Sequence, residues 1–520
     1  MNYLRSIIVV LSLTAIAHAE KFVLKVVNEL GEPLPARIRV RDQTGRDHCP
    51  SGSRVIPVGN DKWFVTSGSS ELEFPSGKVE VRVEHGLEYQ PVKQLVTCEH
   101  GQTNRHTVQP KRWINMREQG YLCGENHLHV PLDELAPQLV AEGLDFGTSL
   151  QWWNAKLFDT PTVGGYIRNL EFAGVKVPTT VFDYEIEHDW GAVYVIGQPT
   201  PLIVENDSAI PNLSLIQKSH KAGSLVCYQG GWSREVLFDA LLGVVDVVNV
   251  CNNNFLRHAY QPRSKYSNLL DVSGFPTYAD NAHDMLRMNC ETYYRLLNCG
   301  LHLAAGAGSA TGAKNTPVGY NRVYVRTAGK DSLQSFIQRW REGRNFATNG
   351  PMLLLCIDEQ YHPGDTIDFG SKGGIVDTEV VVHSSQPVSE IEVIVNGRVV
   401  HTANETELSE KKFRVPIKIE EGAWLAAKCT VEDDLLSDSE LATYKWGTDE
   451  MPRMPTRLRF AHTSPIYIQV DGHGARVQQS VDEANAMLAA FARFSRENSS
   501  AEVLEEIELS LEKARSILGK

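Results

Sequence analysis

The chain has 520 residues, of which 42% are hydrophobic and 22% are charged, and its formal net charge at pH 7 is −13. This length and composition predict roughly two to four folded domains with an ample core and argue against a disordered chain. The excess negative charge repels polyanions, so nucleic acid is not expected as a partner.

Residues 1–19 have the pattern of a secretory signal peptide. Arg5 precedes an apolar run at residues 7–15, and the small-x-small triplet at residues 17–19 is typical of a cleavage site before Glu20. No later stretch approaches the roughly eighteen unbroken apolar residues of a membrane-spanning helix. We therefore expect a periplasmic or secreted protein without an integral membrane segment.

The nine cysteines do not indicate a zinc ribbon, because their number is odd and no CxxC pair occurs. An oxidising compartment permits disulfides such as Cys49–Cys98, but the sequence leaves the pairing open.

Residues 20–110 predict a small β-sandwich. Apolar residues alternate at Phe22, Leu24 and Val26, and two further alternating runs flank the turn residues at 75–77. Nothing in this region has a catalytic pattern.

Between residues 111 and 350, helical patterns alternate with short apolar strands, which favours parallel βα units in a barrel or doubly wound sheet. The predicted helices span residues 133–141, 165–172, 213–221, 234–242, 284–297 and 332–341. The predicted strands span residues 144–148, 176–182, 224–228, 244–250 and 301–305. Functional loops lie at the C-terminal strand ends of such folds, so the polar residues found there are expected to converge. They are His127, His129, Glu185, Gln229, Asn249, Asn252 and the loop at residues 306–312.

Residues 351–475 return to alternation, with an Asn396-Gly397 hairpin turn, and predict a second β-sandwich. Residues 476–520 have helical spacing from Val481 onwards, interrupted near residues 498–500, and predict two closing helices. Their acidic residues are interpreted as a solvated face.

The pair His127 and His129 is the most informative motif. In a strand, residues i and i+2 point to the same side, so both imidazoles can reach one metal ion. The alternative is that one histidine packs in the core and the other caps a loop. Glu185 follows a later strand and adds a carboxylate, which completes the mixed nitrogen and oxygen set accepted by hydrolytic metals. For the segment from Glu185 to His188 alone, a solvated acidic turn is the competing interpretation.

A polar loop at residues 252–263 contains Arg257, His258 and Arg263. The two guanidinium groups can hold an anionic group bidentately, and His258 can act as a ligand or a general acid. Pairing of the arginines with the surplus carboxylates of the chain is an equal alternative.

The loop at residues 306–312 contains small residues that permit close backbone approach. Trp152 and Trp153 fit either a stacking wall for a sugar or buried packing.

Several segments resemble the PHP superfamily, named for polymerase and histidinol phosphatase, and within it the secreted carbaryl-hydrolase-like metallohydrolases. The matching runs are GENHLH at residues 124–129, AEGLDF at 141–146, GRNFATNGP at 343–351 and FAHTSPIY at 460–467. The resemblance implies a multidomain protein of α/β plus all-β class. A PHP-type distorted (βα)7 barrel at residues 111–350 would lie between N-terminal and C-terminal β-sandwich domains at 20–110 and 351–475, followed by the closing helices at 476–520.

The same family carries two or three metal ions and hydrolyses esters of phosphoric or carbamic acid, but this chain departs from its ligand pattern. The positions of four family ligand elements are occupied by other residues: Thr148-Ser149-Leu150, Ala192, the region of Tyr228-Gln229, and residues 309–312. Only His127, His129 and Glu185 carry over, which implies one ion.

The sequence thus predicts an exported metal-dependent hydrolase of a small-molecule or glycan substrate. His127, His129 and Glu185 would bind one zinc, manganese or iron ion. His188 or His258 would add a ligand or transfer protons, and Arg257 and Arg263 would orient the substrate. The alternatives are a catalytically degenerate barrel that binds a carbohydrate or other ligand, and a purely structural envelope protein.

Overall fold

A computed structural model describes residues 19–153, 156–157, 165–201, 211–261, 277–406, 410–433, 442, 444–446, 449–454 and 456–519. The predicted signal peptide lies outside these residues except for Ala19, with which the first strand begins. The N-terminal strands are β1 Ala19–Val26, β2 Ala36–Asp42, β3 Asp47–His48, β4 Ile56–Val58, β5 Asp61–Thr66, β6 Ser69–Pro75, β7 Gly77–Glu84, β8 Val92–Cys98 and β9 Asn104–Val108.

These strands form two sheets that share one core. One sheet has the order β6-β1-β9, and the other has the order β4-β5-β2-β7-β8, with β3 beside β2. The predicted alternation in β1 is confirmed, because Phe22, Leu24 and Val26 are fully buried between the sheets. β6 and β7 do not pair with each other, since the chain passes from one sheet to the other at the turn between them.

The middle of the chain alternates strands and helices. Its strands are β10 Tyr121–Gly124, β11 Leu150–Trp153, β12 Lys156–Leu157, β13 Ile167–Phe172, β14 Val175–Thr180, β15 Asp183–His188, β16 Gly191–Ile196, β17 Leu225–Tyr228, β18 Val247–Cys251, β19 Ala304–Ala307, β20 Arg322–Arg326 and β21 Asn345–Thr348. Its helices are α1 Leu132–Ala141, α2 Leu213–Lys221, α3 Val236–Leu241, α4 Ala282–Leu297 and α5 Leu333–Arg341. Five of the six predicted helices are therefore confirmed within about two residues of their bounds.

Two element predictions in this region were wrong. Residues 165–172 were expected to be helical, but they contain β13, which forms a hairpin with β14. The hairpin turns at Ala173 and Gly174, both with positive φ (51° and 80°), and such a turn matches the twist of antiparallel strands. Residues 144–148 were expected to form a strand, but they run as a loop in which the backbone N–H groups of Asp145 and Phe146 donate to the Cys123 carbonyl.

The central sheet is mixed rather than all-parallel. Its order is β12-β11-β15-β16-β17-β18-β19. β16 runs antiparallel to both of its neighbours, β15 and β17, whereas β11 with β15, β17 with β18 and β18 with β19 run parallel. Only two residues connect β15 to β16, and so short a connection permits only an antiparallel hairpin. The described part of the chain is thus a mixed α/β protein.

The C-terminal strands contribute to one long sheet, one short sheet and a separate two-stranded sheet of β29 and β30. They are β22 Met352–Ile357, β23 Thr366–Asp368, β24 Gly374–His383, β25 Val388–Val395, β26 Arg398–Thr406, β27 Glu410–Ile419, β28 Ala423–Asp433, β29 Tyr444–Trp446, β30 Asp449–Met451, β31 Arg457–Thr463 and β32 Ile466–Gln469. The long sheet runs β10-β20-β21-β31-β28-β25-β26, so it includes strands of the middle region, and the short sheet is β22-β24-β27. The hairpin turn at Asn396-Gly397 is confirmed, with φ of 49° and 79°.

Two helices close the chain, as predicted: α6 Gln478–Asn498 and α7 Ala501–Leu518. Ser500 caps α7, because its hydroxyl accepts from the backbone N–H of Val503. Phe491 of α6 packs on Phe238 of α3 with ring centroids 4.6 Å apart, so these helices share the core of the middle region.

All nine cysteines fall within the described residues and carry free thiols, so no disulfide such as Cys49–Cys98 is formed. Among the described helices, none is both long enough and apolar enough to span a membrane.

Candidate metal centre

The HxH segment follows β10 and lies against the loop that follows β19. The backbone N–H of Ala310 donates to the His127 carbonyl and that of His129 to the Thr311 carbonyl, each at 2.8 Å. The small loop residues are required for this approach. A Cβ at Gly308 would lie 2.5 Å from Cβ of His127, and one at Gly312 would lie 2.2 Å from the His129 carbonyl oxygen. The close backbone approach expected of this loop is thus made to the histidine segment itself.

Glu185 reaches the same place through the register of the central sheet. It pairs with Trp153 of β11 on one side and with Tyr194 of β16 on the other. Cross-strand neighbours project to the same face of a sheet, so these two aromatic rings flank the carboxylate.

Three donor atoms meet at this point. Nε2 of His129 lies 2.8 Å from Oε2 of Glu185, and Nε2 of His127 lies 3.3 Å from the same oxygen. The two Nε2 atoms are 3.0 Å apart. For comparison, two ligands of a tetrahedral zinc ion with bonds of about 2.0–2.1 Å lie about 3.3 Å apart. The donor spacing is close to that expected around one small divalent ion.

Burial and packing hold these ligands in position. His127, His129 and Glu185 are only 3%, 6% and 2% exposed. The His127 ring packs on Tyr194 at a centroid distance of 4.3 Å, and the His129 ring packs on Trp153 at 4.8 Å. Nδ1 of His127 has no hydrogen-bond partner among the described residues, and Oε2 of Glu185 accepts no hydrogen bond of good geometry from them. A cation placed among the three donors would satisfy Oε2 of Glu185 and would be bound by the two Nε2 atoms, so the residues present fit a metal ion.

The electrostatics of the group favour the protonation states that bind metal. Burial acts to raise the pKa of Glu185, but coulombic attraction to the two neighbouring histidines outweighs burial and lowers that pKa to about 2. Burial also lowers the pKa of His127 below its usual 6.5, which favours the neutral imidazole. An ionised carboxylate and a neutral imidazole are the forms in which these side chains ligate metals.

A cavity of about 70 Å³ opens onto the ligands. It is lined by His127, His129, Trp153, Glu185, Glu187, Gln229, Asn253, Gln261, Ala310, Ala313 and Lys314. Glu187 projects from the same face of β15 as Glu185 and accepts a hydrogen bond from the indole N–H of Trp153 at 3.1 Å. Desolvation by the surrounding protein, together with repulsion from Glu185, raises the pKa of Glu187 to about 7.

Other residues predicted for the site lie elsewhere. Arg257 donates both Nη atoms to the Glu84 carboxylate at 2.7 and 2.8 Å, as in the ion-pair alternative. His258 is buried against Gly59 and does not line the cavity. His188 ends β15, but its side chain, like the whole of Arg263, lies outside what the structure describes.

The expected convergence of strand-end residues is largely confirmed. Gln229 lines the cavity, and its amide donates to the side chain of Asn253 at 2.7 Å. Asn249 exchanges amide hydrogen bonds with Asn126, beside His127, at 2.8 and 3.0 Å. Asn252 is not among the residues that line the cavity, and its side-chain amide donates to the Gln229 carbonyl. Trp153 contacts the ligand His129, so its packing is part of the site.

Sequence reasoning missed Lys314 and Gln261 as cavity residues. Lys314 is 5% exposed and reaches the site because its loop folds back onto the histidine segment. Its position near the glycine-rich loop was the only sequence feature that pointed to it.

A scan against models of known protein families gives no match for this chain, and a search of curated proteins gives no significant match.

Proposed function

We propose that this protein is a metal-dependent hydrolase that binds one divalent ion, zinc, manganese or iron, through His127, His129 and Glu185. It would cleave an ester-like bond, such as a phosphate or carbamate ester, of a small-molecule or glycan substrate. The observation that carries the proposal is the meeting of three buried donor atoms from two separate segments, within 4.8 Å of one another.

The ligand set supports hydrolysis over a purely structural role. Two imidazoles and one carboxylate are the protein ligands of many catalytic zinc sites, whereas structural sites are usually closed by four protein ligands. Among the described residues only these three form such a group, and it opens onto a cavity. A divalent ion in this position supplies Lewis-acid activation of water and of the bond to be cleaved.

Glu187 is the best-placed group for proton transfer. It faces the same cavity as the three proposed ligands, and the indole N–H of Trp153 donates to its carboxylate. Desolvation and repulsion from Glu185 raise the pKa of Glu187 to about 7 in the metal-free site, so both its acidic and its basic forms are populated there at neutral pH. Gln229 and Asn253 supply a polar amide wall for hydrogen-bonding groups of the substrate.

The proposal includes the PHP-type architecture and export. The mixed central sheet, with helices between its strands, would be the distorted barrel of residues 111–350. The sheets at residues 20–110 and 351–475 would be the N-terminal and C-terminal β-sandwich domains, the second of which shares its long sheet with β10, β20 and β21. The first nineteen residues would direct the protein to the periplasm or the exterior.

A turnover assay tests the enzymatic claim. Protein loaded with zinc or manganese is incubated with 4-nitrophenyl phosphate, bis(4-nitrophenyl) phosphate and 1-naphthyl N-methylcarbamate. We expect metal-dependent turnover of at least one ester, loss of that turnover in His127→Ala, and a large reduction of kcat in Glu187→Gln with metal retained. Equal turnover by wild type and His127→Ala would contradict the proposal. Stoichiometric metal without turnover on any ester would favour a binding protein in which the ion has a structural role.

A further inference from the structure

A second cavity adjoins the metal pocket. It has a volume of about 200 Å³ and shares His129 and Lys314 with the smaller cavity around the ligands. One wall is the loop Thr311–Thr316 with the start of α1, and the opposite wall is β4 of the N-terminal region with the residues before it. The wall residues from the N-terminal region are Arg54, Val55, Ile56 and Pro57. The metal pocket thus continues into a cleft between two parts of the fold.

The hairpin of β4 and β5 is fixed to the loop that carries Lys314. The backbone N–H of Gly59 donates to the Asn315 carbonyl at 2.9 Å, and the Asn315 side-chain amide donates to the Gly59 carbonyl at 3.1 Å. Gly59 has φ of +58°, and a Cβ there would lie 3.0 Å from the buried ring of His258. The N-terminal wall of the cleft is therefore held in a defined position relative to Lys314.

The chemistry of the cleft is mixed. Val55, Ile56, Pro57, Val130 and Pro131 supply apolar surface, and Arg54 and Glu134 of the facing walls form an ion pair with each other. Lys314 supplies a nearly buried cation on the border between the cleft and the metal pocket, and its charge is felt by both His127 and Glu187. A partly desolvated ammonium group beside a metal site favours a ligand whose negatively charged group can interact with the ammonium group and with the metal ion.

We propose that this cleft is the substrate-binding cleft of the metal site, with Lys314 binding an anionic group of the substrate and β4 contacting its apolar remainder. The inference rests on the proposed metal site. It makes the N-terminal sandwich part of the binding site, and it defines the ligand class as a carboxylate or phosphate attached to an apolar group.

The test uses zinc-loaded protein and three probes that share an aromatic ring: benzoate, phenylphosphonate, which has no ester bond to cleave, and neutral benzyl alcohol. Calorimetric titration gives Kd, and mass spectrometry gives the metal content of each variant. We expect Lys314→Met to weaken both anionic probes by about tenfold or more, as expected for loss of a charge-assisted hydrogen bond. Benzyl alcohol binding and metal content should stay unchanged, as should all values for the exposed control Lys330→Met. A larger loss for phenylphosphonate than for benzoate would assign the anion as a phosphate, and the reverse as a carboxylate.

A second variant tests the N-terminal wall independently of Lys314. Val55 is 41% exposed, so Val55→Glu places a negative charge at the cleft without disturbing a core. We expect about threefold weaker binding of the anionic probes, in the range of exposed charge interactions. The matched control is Val400→Glu, at a residue 50% exposed in β26.

The outcomes separate the two proposals. Unchanged anion affinity in metal-bearing Lys314→Met and Val55→Glu would overturn the cleft assignment, as would failure of wild type to bind either anion. Absence of metal from every protein would reject the metal site, and anion affinity that still depends on Lys314 would then support the cleft alone.

Discussion

Two polar clusters in this protein are similarly buried but differ in how their charges are balanced. Arg37, Glu84, Glu142 and Arg257 join the N-terminal sandwich to the middle region, and all four are at most 6% exposed. Arg37 bonds to both glutamates, and Arg257 bonds to Glu84 with both of its terminal nitrogens. Two guanidinium groups thus face two carboxylates, which balances the charge within this set.

The metal centre has no comparable balance. His127, His129 and Glu185 bring three electron-pair donors together, and these residues contain no permanent cation. Buried charges are tolerated when they are paired. The arginine cluster is paired within the protein and acts as a structural link between the two regions, whereas the histidine cluster fits an added cation. Both clusters are polar. The balance of charges and of hydrogen-bond donors and acceptors within each cluster is what distinguishes a structural link from a candidate ligand site.

The largest effect is expected from Glu84→Gln. This change leaves Arg37 and Arg257 buried without their shared carboxylate, and breaking a buried pair in this way costs about 3–5 kcal/mol of the free energy of unfolding. Urea unfolding measures the loss, and metal content should remain that of wild type. A decrease of less than about 1 kcal/mol in the free energy of unfolding would mean that the cluster is not a structural link between the two regions.

His462 provides a buried histidine that is fully bonded within the protein. Tyr294 donates to its Nε2 and its Nδ1 bonds to the Thr463 carbonyl, both at 2.7 Å. Burial lowers the pKa of His462 to about 3, so between pH 6.5 and 3 the unfolded chain binds the proton that the folded protein excludes. Its contribution to stability is therefore present above pH 6.5 and decreases as the pH falls, by about 3 kcal/mol at pH 4.

Urea unfolding of wild type and His462→Gln between pH 7 and pH 4 checks this expectation. The free-energy difference between the two proteins should shrink towards pH 4, because the variant lacks the titrating group. A difference that is constant with pH would contradict the assignment of a neutral, excluded histidine.

Glu185→Gln should reduce metal affinity by about 100-fold or more, or about 2.7 kcal/mol, since it removes the only charged ligand. Glu187→Gln is the matched control, because it lies on the same face of β15 two residues further on and should retain the metal. Competition with a chelator of known affinity measures both. Equal losses in the two variants would place the ion between the two glutamates rather than between Glu185 and the histidines.

The smallest effect is expected from Trp153→Phe. Phenylalanine keeps a ring against His129 but removes the hydrogen bond to Glu187, and one such bond to an exposed carboxylate contributes about 0.5–1 kcal/mol. Metal affinity should change by less than about threefold. Because the lost bond favours the ionised form, the pKa of Glu187 should rise, and the pH profile of turnover is the readout. A loss of metal as large as that of Glu185→Gln would show that the indole itself holds the ligands.

The three metal-ligand candidates could be predicted because their pattern is local. Two histidines in alternation must share a face. Glu185 was expected to follow a strand, but the structure places it within β15, paired on both sides. The partners of Arg257 could not be predicted, because Glu84 lies 173 residues away in another part of the fold. Lys314 was missed for the same reason, since only the folding back of its loop brings it to the histidines.

Among the fold elements, long periodic segments were predictable, and four of the five short strands predicted in the middle region overlap β14, β17, β18 and β19. The segments at residues 144–148 and 165–172 were not predictable. The closing helices and most middle helices follow from a sustained helical period. Tyr166, Ile167 and Leu170 also fit a helical spacing, yet the Ala173-Gly174 turn makes a hairpin of this segment. Local periodicity over six residues is compatible with both structures, and the turn decides between them.

The most direct test is the metal content of protein purified without chelator or metal-affinity tag, beside a double variant carrying His127→Ala and His129→Ala. Mass spectrometry should find close to one zinc, manganese or iron ion per wild-type chain and almost none in the variant, while both proteins show the same folded circular dichroism spectrum. Equal metal content in the two proteins, or no metal in wild type even after reconstitution, would contradict the account.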